Sequence, residues 1–312
     1  MTGATAGKRL RWLDVATMAS GMPLRLPVHE VVGARPGPTF GLSAAIHGDE
    51  VAPIEVVRRI VTEIDPARLK GRLVAMPVVN PLALEDVSRN TPLDRHNLNR
   101  VFPGDAGGWI TERIAHVVSQ EFVPGLDYLV DLHAGGVFPT VDYVYVRNDE
   151  GLSRAFGFPV LFRSNANVGS LSDVAQARGT KSAVIELGGG LIREDEYIER
   201  GVRGVYNTMR YAGLLDGEPE PPPAQTVVRQ LATIRPRHGG LLQPEVRIDR
   251  INQEIPGGTL LGRVISPYTF ETLEEIRAPY RRSLVILLRA SLSRVNPGDY
   301  AYMIGDLETA ET

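Results

Sequence analysis

"GLSAAIHGDEVAPIEVVRRIVTEI" occupies residues 41–64, and the change of texture inside it decides the fold. The run from Phe40 to Ile46 is apolar and short, as in a buried strand. From Ile54 onward apolar residues recur at Val57, Val61 and Ile64, the spacing of an amphipathic helix. Between them stand His47, Gly48, Asp49 and Glu50. A strand that passes directly into a helix is the repeating unit of an α/β fold. His47 and Glu50 have the spacing His-x-x-Glu, which at such a turn lets both side chains converge on one ion. Imidazole nitrogen and carboxylate oxygen suit Zn²⁺. Asp49 reads as a helix-start charge or a partner of the other two. The same residues also fit an ordinary strand-to-helix loop with an acidic helix start, so the rest of the chain has to decide.

The same alternation continues. "RLVAMPVVN" (72–80), "LDYLVDLHA" (126–134), "VDYVYVR" (141–147), "PVLFR" (159–163) and "KSAVIEL" (181–187) read as strands. "WITERIAHVVSQEF" (109–122), "SLSDVAQAR" (170–178) and "EDEYIERGVRGVYNTMRYAGLL" (194–215) read as helices. Apolar strands separated by helices predict an α/β fold with a sheet covered on both faces. Sites in such folds lie at the carboxyl ends of the strands. His47, Asn80, His133 and Glu186 all fall there. "DGEPEPPPAQ" (216–225) reads as a stiff, exposed linker. Beyond it, "GGLLQPEV", "GGTLLGRVISP", "LEEIRAP", "RSLVILLRA" and "NPGDYAYMIG" are short strands broken by Gly and Pro. The expected division is residues 1–218 as one domain and 219–312 as linker and a small all-β C-terminal domain. Its turns resemble the barrel-sandwich of lipoyl and biotin carriers. Residues 226–312 contain no lysine, so a carrier role is not expected, and a structural or lid-forming role is.

Composition narrows the chemistry. Among 312 residues, 43% are hydrophobic and 23% charged, as in an ordinary globular protein. The net charge of −3 leaves no nucleic-acid footprint. The absence of cysteine removes disulfides, thiolate nucleophiles and Cys-type zinc sites, so any metal must use His, Asp or Glu. No run approaches a membrane span, and the N-terminal segment lacks a signal-peptide core. The expectation is a cytoplasmic protein with no nucleic-acid or membrane partner. A homo-oligomer is possible by analogy.

His133 ends an apolar strand and precedes glycines that allow close backbone approach. Asp131, two residues earlier, shares its face and can orient the ring through its other nitrogen. Taken alone, His133 also fits a hydrogen-bonded core histidine. Glu186 ends "SAVIELGGG"; a carboxylate in that position needs a partner or work, such as moving a proton. Its other reading is a salt-bridged or helix-capping Glu. "SRNTPLDRHNLNRVFPG" (88–104) is a long aperiodic loop with Arg89, Arg95 and Arg100, and long loops in compact domains are often functional. It also fits a solvated basic loop.

As an ordered set, "HGDE", "NP", "NLNRVFPG", "DLHAG" and "ELGGG" resemble the succinylglutamate desuccinylase/aspartoacylase family, of the zinc-carboxypeptidase-like superfamily. The resemblance covers about residues 40–215, and the segment 235–305 fits that family's C-terminal domain. It implies a zinc-carboxypeptidase-like mixed sheet and a zinc-dependent hydrolase that removes a small acyl group from an N-acyl amino acid or related amine. It implies that His47, Glu50 and His133 bind Zn²⁺ and that Glu186 is general base and acid. Arg89 resembles the arginine that polarises the scissile carbonyl, and Asn99 and Arg100 the pair that holds the substrate carboxylate. Asn97 stands where many members have Asp, and "NLNR" with "PLD" upstream looks like the branch that deacetylates N-acetyl-diaminobutyrate. A metallocarboxypeptidase would use the same metal chemistry on a peptide or conjugated amino acid. A non-catalytic metal or small-molecule binding protein is the alternative of another class.

Overall fold

The computed structural model describes residues 6–163, 168–220 and 224–311. Two long strands open the chain, β1 (Gly7–Thr17) and β2 (Pro23–Val32). Then come β3 (Arg35–Ser43), α1 (Ala52–Glu63), β4 (Lys70–Met76), the short α2 (Pro81–Glu85) and α3 (Ile110–Val117), which runs on into a π-helical turn, Val118–Phe122. β5 (Tyr128–His133), β6 (Pro139–Val146), α4 (Glu150–Ala155), β7 (Val160–Arg163), α5 (Leu171–Ala177), β8 (Lys181–Gly188) and α6 (Glu194–Tyr211) follow. The remainder supplies β9 (Thr226–Val228), β10 (Leu231–Ile234), β11 (Gly240–Pro244), β12 (Glu254–Pro256), β13 (Leu260–Ile265), β14 (Thr272–Arg277), β15 (Arg282–Arg289), β16 (Ser293–Val295) and β17 (Tyr302–Asp306). Among the described residues no helix is long and apolar enough to cross a membrane.

The main sheet has the order β1-β2-β4-β3-β5-β8-β6-β15-β17-β10. Its middle, β4-β3-β5-β8, is parallel, and the pairs on either side of it are antiparallel. Helices cover both faces. α1, α4 and α6 pack on one, around Val56, Ile60, Leu132, Ile185 and Val205. α3 and α5 pack on the other, around Leu129, Ile114 and Leu171. α1 forms because Val56, Val57, Ile60 and Val61 make one buried stripe; each such side chain contributes about 1.5–3 kcal/mol on burial. Pro53 sits in its first turn, where a missing N–H is harmless, and Glu55 faces the positive helix end.

Two features lay outside the expectations. No strand was anticipated over residues 7–32; there the charged and apolar residues alternate on an edge strand (Arg9, Leu10, Arg11, Trp12), which dilutes the hydrophobic signal. The strands after residue 224 also do not stay apart from the sheet. β9 pairs with β7, and β15 pairs with β6 and carries β12, β17 and β10. Among the described residues only β14-β13-β11-β16 form a sheet of their own. Along the outer edge of β6, β7 pairs with Val144–Val146 and β15 pairs with Pro139–Val141, so the later strand completes an edge that β7 covers only in part. Residues 221–223, in the expected linker, lie outside the described residues.

Candidate active site

Strand alternation decides which residues meet. Val130, Leu132, Val144, Val146, Ile185 and Leu187 point to the α1–α4–α6 face. Their neighbours Asp131, His133, Tyr143, Tyr145 and Glu186 therefore point to the other, above the carboxyl ends of β3, β5 and β8. His133 is the register partner of Glu186, and Glu186 that of Tyr143. The chain leaves β3 at Ser43, turns through Ala45 at φ 51°, and delivers His47 and Glu50 to the same place. Gly48 makes that turn possible. A Cβ there would lie 1.9 Å from the Ala83 backbone, and its own N–H donates to the Ser88 carbonyl.

His47, Glu50 and His133 are all buried, and their ligating atoms lie within 4.8 Å of one another. His47 Nδ1 is 2.7 Å from Glu50 Oε1, and His133 Nδ1 is 3.0 Å from Glu50 Oε2. The outer nitrogens are held as well. His133 Nε2 is 3.0 Å from Asp131 Oδ2, and Asp131 in turn accepts from Ser43 Oγ at 2.7 Å. His47 Nε2 is 3.2 Å from Asn97 Oδ1, which also accepts the Asn99 N–H. An imidazole that donates through Nε2 carries its lone pair on Nδ1. With both outer nitrogens engaged, the two Nδ1 atoms converge on the two oxygens of one carboxylate, as ligands around a single ion do. The donor set therefore fits a small divalent cation, and its N and O atoms suit zinc.

The electrostatics say the same. Burial would raise the Glu50 pKa, but the two imidazoles more than offset it and hold the carboxyl well below its ordinary value. Burial keeps His47 neutral, with its pKa lowered to about 4. Burial also opposes charge on His133, yet Asp131 and Glu50 together push its pKa well above the usual 6.5. The cluster thus draws positive charge into its centre. Glu186 is driven the other way: burial, reinforced by Glu50 and Asp131 against the pull of His133 and Arg89, raises it to about 8.

His47, His133, Glu186, Arg89, Asn99 and Arg100 all line one cavity of about 370 Å³. Arg89 Nη1 reaches Glu50 Oε1 at 3.4 Å from a half-exposed position. The side chain of Asn99 is already engaged: its oxygen accepts the Leu171 N–H, and its nitrogen is 3.4 Å from His133 Nε2. Arg100 donates to the Asn99 carbonyl. Asn80 caps α2 and donates to Thr91, so its place at a strand end is structural. Asp49 stays out of the triad, and its Oδ1 is buried with no hydrogen-bond partner among the described residues.

Sequence reasoning missed three contributions. Asn97 holds His47; its only signal was the "NLN" run in the long loop. Tyr143 donates to Tyr145 in the cavity wall, a pair hidden inside an apolar strand. Leu231, Thr233, Leu287, Tyr300 and Met303 close the wall from beyond the linker, through strand pairing that no local pattern reveals.

Comparison with known proteins bears on the family of the chain. The succinylglutamate desuccinylase/aspartoacylase catalytic domain matches residues 36–212. The N-alpha-acetyl-L-2,4-diaminobutyric acid deacetylase of Halomonas elongata is 30% identical over 299 residues, covering 89% of this chain and 84% of the relative. The product-bound ectoine utilization protein EutE (DoeB) of Ruegeria pomeroyi superposes with a TM-score of 0.86 at 24% identity, covering 97% of this chain and 96% of the other. An aspartoacylase family protein of Mesorhizobium loti gives 0.79 at 27% identity, covering 97% and 95%. The chain belongs to the succinylglutamate desuccinylase/aspartoacylase family of deacylating hydrolases.

Proposed function

We propose that this hydrolase is zinc-dependent and removes a small acyl group from an N-acyl amino acid or related amine. The observation that carries the reading is the facing of His47 Nδ1 and His133 Nδ1 across the two oxygens of Glu50, with both outer nitrogens held. His47, Glu50 and His133 would hold the ion, which when bound lowers the pKa of water and polarises a carbonyl. Glu186 stands beside His133, with a pKa raised towards neutrality, as a group that both accepts and returns a proton must have. It takes the proton of the attacking water and returns it to the leaving nitrogen. Arg89 stabilises the charge that develops on the carbonyl oxygen. Arg100 holds the substrate carboxylate, and Asn99 fixes the loop that presents it.

The cavity is near the lower end of the range for small-molecule sites, which suits a short acyl group better than a peptide. Residues 1–218 supply every ligand and proton-handling group in this scheme. Residues 219–312 form the proposed linker and β-rich domain, whose own apolar core surrounds Leu242, Leu261 and Tyr302. The test is metal analysis of the purified protein, followed by a screen of N-acetyl and N-succinyl amino acids. About one zinc per chain and turnover of at least one compound are expected. Full zinc occupancy in His133→Ala, or no turnover across the screen, would defeat the reading.

A further inference from the structure

Tyr143 and Tyr145 share one face of β6, Arg147 directly follows its last residue, Val146, and all three line the cavity. The Arg147 side chain is only 5% exposed. Its Nη2 pairs with Asp173 Oδ1 at 2.6 Å. Asp173 is shared: its other oxygen accepts the Ser170 N–H in the cap of α5, so it engages one edge of the guanidinium alone. Arg147 Nε is buried with no hydrogen-bond partner among the described residues. A buried donor without a partner is unfavourable, and the guanidinium fork matches a carboxylate in bidentate fashion. The charge around the cavity points the same way: Arg89, Arg100 and Arg147 line it against a single carboxylate, Glu186. From Tyr143, beside Glu186, to Arg147 is about 13 Å along the strand, within the combined reach of an arginine and an N-acyl amino acid.

We propose that Arg147 is a second carboxylate anchor of the substrate pocket, at the end of the β6 row away from Glu186, and that it disfavours substrates placing a cationic group there. The proposal rests on the deacylase reading above. The carboxylate it takes is either the side-chain carboxylate of the substrate or its α-carboxylate, and the experiment distinguishes the two.

Steady-state kinetics of wild type, Arg147→Gln and Arg147→Lys would be measured on N-acetylaspartate, N-acetylasparagine, N-acetyl-2,4-diaminobutyrate and an N-acetylated alkylamine with no carboxylate. A rise in KM of about 10–100-fold for N-acetylaspartate alone, with kcat nearly unchanged, assigns Arg147 to the side-chain carboxylate. An equal rise for all three amino-acid derivatives, sparing the alkylamine, assigns it to the α-carboxylate. Lys, which keeps the charge but not the fork, should restore part of the KM in either case. Equal losses on all substrates including the alkylamine, or a fall in kcat alone, mean that Arg147 only ties β6 to α5, and the proposal fails. If Arg147→Gln does not fold, inhibition of the wild type decides: succinate competing no better than acetate overturns the anchor. Absence of any turnover counts against the deacylase reading instead. Calorimetric titration of succinate into wild type and Arg147→Gln then reads the anchor alone, and equal affinity overturns it.

Discussion

Two groups of buried ionisable residues lie on opposite sides of β6 and β8, and they are built differently. Asp142 and Arg200 form a closed pair. Two bonds of 2.7 and 2.8 Å join them, and the guanidinium lies 4.3 Å from the Phe158 ring centre. Each charge there finds its opposite within the chain. The cavity group gathers Glu50, Asp131 and Glu186 around two imidazoles, and among the described residues the one arginine paired with it, Arg89, stands at 3.4 Å. Among the described residues no arginine closes on these carboxylates as Arg200 closes on Asp142. The closed pair links β6 to α6; the open set is shaped for something the chain does not supply.

Removing a ligand from the open set should have the largest effect. His47→Ala or His133→Ala should lose bound zinc, and with it several kcal/mol of transition-state stabilisation, at least about 10³ in kcat/KM. Elemental analysis beside the assay checks both. Arg200→Ala should leave zinc content unchanged, and a loss of metal there would erase the contrast between the two groups.

Glu186→Gln comes next. Zinc should remain while kcat falls by about 10²–10⁴-fold, the size of a general acid–base contribution. The same change should raise stability in metal-free protein above the ordinary carboxyl pKa of 4.5. The folded pKa is raised to about 8, so across that interval the folded state keeps a proton that the unfolded state releases. Wild-type stability therefore falls as pH rises from 4.5 towards 8, and the glutamine variant should lack that slope. Urea midpoints at several pH values would show it, and parallel profiles would refute it.

The closed pair predicts the opposite pattern. Arg200→Ala leaves Asp142 buried without its partner, which should cost about 3–5 kcal/mol in urea unfolding. The kcat of the protein that remains folded should stay close to wild type. A stable but inactive Arg200→Ala enzyme would mean that this pair serves the site after all.

The two groups also differed in how far the sequence disclosed them. His47, Glu50, His133 and Glu186 were legible because each ends or follows a strand of the parallel core, where local pattern and fold rule coincide. Asp142 and Arg200 were not. Asp142 lies inside an apolar strand and Arg200 inside a helix face, 58 residues away. The same limit hid the pairing of β15 with β6, and with it the cavity wall from Leu287 and Met303. Hydrophobic period reports which face a residue takes, not which distant edge it meets.

A third group, at the rim, should give the smallest effect. Glu30 is buried on β2, and Arg9 and Arg11 reach it from β1. Burial alone would raise its pKa, but the hydrogen bonds and charges of the two arginines more than offset it and leave it below 4.5. The stability it contributes is thus complete above pH 4.5 and is lost as pH falls through the lower folded value. Both arginines are substantially exposed, so water and salt screen them, and about 1 kcal/mol is the size to expect. Glu30→Gln should unfold at lower urea than wild type at neutral pH, and the two curves should converge in acid. It should change neither zinc content nor kcat, because the hairpin stands at the far edge of the sheet from β8. A difference that persisted unchanged into acid would show that packing, and not the carboxylate charge, holds β1 to β2.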